Sequence, residues 1–194
     1  MKRFLQTLAP YIAVVIFWCV FKSAWLSILA YHAQILFWSW RRLGLLRRGW
    51  DLRLFLVAAV PCLLAGPLAY ALIPHVTVDA GLTEWLAGYG LNGLWWIAMV
   101  PYFGLIHPLL EQVHWSGLRS AGWPAHLAYA GYHGIVLFLL LQPLWLCVCL
   151  GILLVVSAVW SRIQEKCRGG LLVVACGHVF ADLGIVIAAW IAAM

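Results

Sequence analysis

The sequence predicts an all-α fold, a polytopic transmembrane helical bundle of about six to seven membrane segments, on three observations. Hydrophobic residues make up 66% of the chain and its mean hydropathy is +0.99, more apolar surface than one soluble core of 194 residues can hide. Only 12 Lys or Arg and 6 Asp or Glu occur, nearly all in short connectors. Between the connectors run apolar stretches of about 20 residues, the length that crosses a hydrocarbon core of about 30 Å. Basic connectors beside apolar spans mark the cytoplasmic side of a membrane. The formal charge of +6 therefore reads as topology, with no nucleic-acid partner, because the basic residues do not line one long face. Membrane lipid is the expected surrounding, and the expected location is the plasma (prokaryotic inner) membrane, crossed several times.

The chain divides at its main basic connector. Residues 1–53 are expected to form an N-terminal membrane anchor segment and basic cytoplasmic connector, and residues 54–194 the bundle. Met1 to Leu5 ahead of an apolar run imitates a signal peptide, but no small-x-small cleavage site follows, so an uncleaved anchor is expected. Residues 5–40 form a mainly apolar stretch interrupted by Lys22, His32 and Gln34. As one helix they would extend roughly 54 Å, well beyond the hydrocarbon thickness. They read either as one protruding helix or as a hairpin of two short crossings that turns near Lys22. An even number of crossings would put Lys2 and Arg3 on the same side as Arg41, Arg42, Arg47, Arg48 and Arg53, although no turn residue marks the reversal.

Leu54 to Ile73 is a clear span with Pro61, Gly66 and Pro67 inside it, breakers that neighbouring helices can accommodate. Pro74 to Tyr89 reads as an outer loop holding Asp79 and Glu84 and no basic residue. Leu91 to about Leu118 returns inward, and Arg119, Ser120, Gly122 and Pro124 mark a cytoplasmic turn. Pro124 to Leu141 leads out, Gln142-Pro143 turns, and Leu144 to Trp160 comes back. Arg162, Lys166 and Arg168 fall again on the cytoplasmic side, and the last span runs from Gly170 to the end. Five of the six cysteines lie in apolar runs and read as small hydrophobes.

Within these spans the stretch from His107 to Arg119 stands out, because it carries Glu111 deep in an apolar run. A carboxylate there costs about 2.5–3.5 kcal/mol on insertion scales, so it needs a partner or a task. Glu111 lies eight residues before Arg119, His133 nine after Pro124 and His178 eight after Gly170. At helical rise all three sit roughly 12–14 Å below the same boundary. Asp182 follows His178 by one turn, as His133 follows Tyr129. Three helices thus bring a Glu, a His and a His–Asp pair to one level, as expected around a shared polar cavity. His107 and His114 flank Glu111 and are expected mainly to pack, while His32, His75 and His126 are expected to hydrogen-bond between helices.

At these residues the sequence resembles the CAAX protease and bacteriocin-processing family of intramembrane proteases. That family carries E-E-x-x-x-R, then F-x-x-x-H, then H-x-x-x-N or H-x-x-x-D on separate membrane helices. Here the motifs read Glu111-Gln112-Val113-His114-Trp115-Ser116, Tyr129-Ala130-Gly131-Tyr132-His133 and His178-Val179-Phe180-Ala181-Asp182. The likeness covers roughly residues 91–194, the protease-like core. Gln112 replaces the second Glu and Ser116 the Arg, so both charges of that pair are absent together, and Tyr129 replaces Phe. The resemblance implies a glutamic-type endopeptidase in which Glu111 and His133 activate a water and His178 stabilises the oxyanion; an ionised Asp182 cannot donate to that oxyanion, so it is expected to orient His178 or to act protonated. Gln112, Tyr129 and His114 would be auxiliary. It implies no catalytic metal, although the candidate ligands leave zinc open.

The expected activity is cleavage of a peptide bond in a membrane-associated substrate entering from the membrane: a prenylated tail, a bacteriocin-type leader or a C-terminal sorting anchor. Two alternatives stand beside it. One is a catalytically inactive binding or immunity protein on the same scaffold, motivated by Gln112 and Ser116. The other is a metal- or haem-binding membrane oxidoreductase, motivated by seven histidines and the spacing of His107, Glu111 and His114.

Overall fold

The computed structural model describes residues 1–47, 49–77, 81–167 and 169–194, in which the regular structure is helical apart from one antiparallel bridge between Thr77 and Leu141. Arg48, Asp79 and Arg168, counted above in the connectors, lie outside the described residues. Helix α1 (Lys2–Val14) continues through a π-helical turn (Val15–Val20), and the chain then reverses into α2 (Ala24–Ser39). Lys22 makes the reversal in a left-handed backbone conformation (φ 47°), and the Ser23 hydroxyl caps α2 by accepting the Leu26 N–H at 3.3 Å. Residues 5–40 are therefore a hairpin. Nothing in the local sequence favours a turn there. The left-handed Lys costs about 1–2 kcal/mol, which the packing of α1 on α2 offsets.

A 3₁₀ stretch (Trp40–Arg47) leads to α3 (Leu52–Ala58), whose first turn is capped by Asp51 Oδ1 accepting the Leu54 N–H at 2.9 Å. Pro61 lacks an N–H and breaks this helix into a 3₁₀ turn (Val60–Leu64) before α4 (Ala65–Val76) resumes the same span. The expected outer loop is not wholly irregular: α4 reaches Val76, and a short helix α5 (Leu82–Gly88) follows. Helix α6 (Gly93–Pro101), a π-helical turn (Tyr102–Ile106) and α7 (His107–Leu118) make the next span. Then come α8 (Trp123–Leu137), α9 (Pro143–Lys166) and α10 (Gly170–Ala192). Helix α9 takes in Arg162 and Lys166, which the sequence assigned to a connector.

Among the described residues five segments are long and apolar enough to cross a membrane: Lys2–Val20, Leu52–Val76, Gly93–Ala121, Pro143–Lys166 and Gly170–Ala192. Helices α2 and α8 are shorter. The outward faces of the longer spans match a lipid solvent, with Val57 of α3, Leu94 of α6 and Leu144 of α9 at 75%, 81% and 72% exposure. Apolar area left in water costs about 25 cal/mol per Å², a penalty that hydrocarbon surroundings remove. The apolar interior also encloses a polar cluster: Glu111, Gln112, His114 and Arg119 are all at most 2% exposed.

The reversals gather at two ends. At one end the Arg42 guanidinium donates to Ser116 Oγ and Gly169 lies against the backbone of Gly49 and Trp50. At the other, Ala24 N–H donates to Tyr89 O, Gln142 N–H to Val76 O, and Thr83 Oγ1 to Ala193 O. Every described Lys and Arg except Lys22 belongs to the first end or to the last turns leading into it. Helix α10 runs through the middle, packed against α4, α7 and α9. Its approach to α4 depends on a glycine pair: a Cβ on Gly66 would lie 2.8 Å from the Gly184 Cα, closer than atoms pack.

Candidate active site

Glu111 is set in place from both sides of α7. Before it, the π-helical turn brings Gly104 against Leu183 of α10, where a Cβ would meet the Leu183 side chain at 2.6 Å. After it, Trp115 is wholly buried. The carboxylate has no exposure at all. Its Oε1 accepts the Tyr31 hydroxyl of α2 at 2.9 Å, and that hydroxyl accepts Trp115 Nε1–H at 2.9 Å. Its Oε2 lies 3.4 Å from His178 Nε2 of α10 and has no hydrogen-bond partner within angular limits among the described residues. His107, one turn earlier, brings Nε2 to 3.8 Å from Oε1.

His178 is shared. Its Nε2 lies 3.3 Å from Asp182 Oδ2, whose side chain is 15% exposed. Its Nδ1 meets Gln112 Nε2 at 2.8 Å. Gln112 Oε1 in turn accepts from Arg119 Nη1 at 2.7 Å and from Gln164 Nε2 at 3.3 Å. Arg119 Nε donates to Ser157 Oγ of α9 at 3.0 Å, and the guanidinium lies 4.7 Å over the Tyr129 ring. Arg119 opens the turn that precedes α8, as expected, but its side chain is buried, 2% exposed, and reaches back two turns along α7. Gln112 and Ser116 are neutral, and each sits against a cation, Arg119 and Arg42 respectively. Burial lowers the pKa of the Arg42 guanidinium.

His133 is brought to the same region without touching Glu111. Its Nδ1 donates to the Tyr129 carbonyl at 2.8 Å, and its Nε2 pairs with the Tyr132 hydroxyl at 3.1 Å. The Tyr132 ring packs at 4.1 Å from His133 and at 5.3 Å from Tyr31. Among the described residues no hydrogen bond or ion pair joins His133 to Glu111, and the imidazole closest to the acid is His178. Tyr129 is fully buried, edge-on to Trp115 at 5.5 Å, with its hydroxyl unpartnered among the described residues. His114 faces away, to Ser39 Oγ at 3.1 Å and the Gln6 carbonyl at 3.2 Å. His32 links Tyr102 and His107 at 2.8 and 3.1 Å, and His126 meets Ser157 at 2.8 Å. The His75 ring makes no hydrogen bond among the described residues.

No family model, curated protein or solved structure matches the chain. The site is thus read from its own chemistry. Among the described residues no group of three or more His, Cys, Asp or Glu is arranged to hold a metal ion. What the geometry does offer is a carboxylate with one oxygen tied down by a phenol and the other facing an imidazole. That imidazole faces a second, slightly exposed carboxylate. Such a set can accept a proton at Glu111 Oε2 and donate a hydrogen bond from the neighbouring ring.

Proposed function

We propose that the chain is an intramembrane endopeptidase of the CAAX protease and bacteriocin-processing type, with Glu111, His178 and Asp182 at its reactive centre. Helices α2 and α8 cross beside the five longer spans, giving seven crossings, with the basic end on the cytoplasmic side of the plasma (prokaryotic inner) membrane. The reading rests on one observation: a wholly buried carboxylate lies 3.4 Å from an imidazole that a second carboxylate also engages at 3.3 Å. Glu111 Oε2 takes a proton from water, and the hydroxide attacks the scissile carbonyl carbon. The carbonyl electron pair moves onto oxygen, where His178 donates a hydrogen bond to the oxyanion. Collapse breaks the C–N bond, and the amine leaves with the proton from Glu111. Asp182 orients the His178 ring, and His133 offers a second polar group from α8. The substrate is a peptide segment entering from the membrane.

Comparison of membrane-protein termini in cells carrying the wild-type, Glu111→Gln and His178→Ala proteins tests this. A new terminus present with the wild type and lost in both variants is expected. Identical termini in all three overturn the endopeptidase reading. A second reading, a binding or immunity protein on the same scaffold, is favoured by the complete burial of Glu111 and by the neutral Gln112. It is the one supported when a phenotype of gene deletion is rescued equally by wild type and Glu111→Gln.

A further inference from the structure

We propose that Arg119 and Gln112 are positioning residues that fix which ring nitrogen of His178 carries its proton. The chain of donors allows only one solution for the neutral ring. Arginine has donors and no acceptor, so the atom of Gln112 that faces Arg119 Nη1 at 2.7 Å is the amide oxygen. The same oxygen faces Gln164 Nε2 at 3.3 Å. Turning the amide over would lose both contacts and set N–H against N–H. The NH₂ group of Gln112 is thereby aimed at His178 Nδ1, 2.8 Å away. An amide NH₂ only donates, so Nδ1 presents its lone pair and the proton sits on Nε2. That Nε2–H points between Glu111 Oε2 at 3.4 Å and Asp182 Oδ2 at 3.3 Å.

The arrangement is anchored from behind. Arg119 is held by Ser157 Oγ at 3.0 Å and by the Tyr129 ring. The Ser157 hydroxyl, which accepts from Arg119, also pairs with His126 Nδ1 at 2.8 Å. A direction of hydrogen bonding thus runs from the basic end of the bundle to the face of His178 that meets the two acids. In the endopeptidase reading, on which this consequence rests, the fixed tautomer keeps an N–H aimed at the oxyanion.

The tautomer can be read without any substrate, so its failure is separate from failure of the protease. The experiment uses the full chain in nanodiscs, labelled with ¹⁵N-histidine, with the His178 signals assigned by their loss in a His178→Asn variant. At alkaline pH the wild type is expected to show His178 Nε2 bonded to hydrogen and Nδ1 bare. A directly bonded hydrogen on Nδ1, alone or together with one on Nε2, overturns the proposal. Gln112→Glu keeps a partner for Arg119 but offers His178 a carboxylate, and is expected to move the proton to Nδ1. Retention of the wild-type pattern in Gln112→Glu would show that the carboxylates alone set the tautomer and would also overturn it. If that variant fails to fold, the wild-type spectrum still decides.

Discussion

The Tyr31 hydroxyl accepts from the Trp115 indole and donates to Glu111, so three side chains from two helices depend on one oxygen. Both partners are buried, so deleting that oxygen leaves a buried N–H and a buried carboxylate oxygen without that partner, a cost of about 1–3 kcal/mol each way. Tyr31→Phe is expected to destabilise the folded protein by about 2–3 kcal/mol in reversible unfolding from mixed micelles. Adding Trp115→Phe should then cost about 0.5 kcal/mol or more below the sum of the single changes, because the pair shares the lost contact. Strict additivity would mean that the hydroxyl does not bridge the two. Neither Tyr31 nor Arg119 was singled out as part of the site. Tyr31 is one of seven tyrosines in an apolar run with no charge to mark its depth. Arg119 did carry a signal: it is seven residues, two helical turns, from Gln112 and shares its face. Its place at the end of a span made it look like any other boundary cation.

Helices reveal their depth in the sequence more readily than their rotation. Counting from the connectors placed Glu111 and His178 at one level, and their atoms lie 3.4 Å apart. The same count placed His133 there too, but the azimuth of α8 is fixed by packing that a count of residues does not contain, and the His133 ring pairs with Tyr132. The break at Lys22 was legible only through charge balance, since the sequence offers no Gly or Pro for it. Lys22→Gly is expected to stabilise the hairpin by up to about 1 kcal/mol by removing the cost of the left-handed backbone, measured as a higher unfolding midpoint in micelles; a fall would mean that the lysine side chain itself holds the turn. Gly184→Leu is expected to act in the opposite sense. With Gly66 backbone 3.0 Å from the position a Cβ would take, no rotamer relieves the clash. The loss should reach about 3 kcal/mol or more, and an unaltered midpoint would count against the close α4–α10 crossing.

Taken whole, the bundle turns large apolar side chains outward and buries an acid, several imidazoles and a guanidinium within its apolar core. The basic connectors collect at one end and Lys22 stands alone among described cations at the other, a sidedness that the charge pattern had already implied. Reporter domains inserted at Gly90 and at Gly122 should therefore report opposite sides of the membrane, an exported phosphatase being active at the first and silent at the second. Activity at both positions would exclude the seven-crossing arrangement. The resemblance covers roughly residues 91–194, and the acid of that stretch takes a hydrogen bond from Tyr31 in the first fold-back of the chain. Heredity of the centre is consequently indivisible. A graft, fusion or shortened gene that starts downstream of residue 31 would inherit the acid but leave its phenol behind.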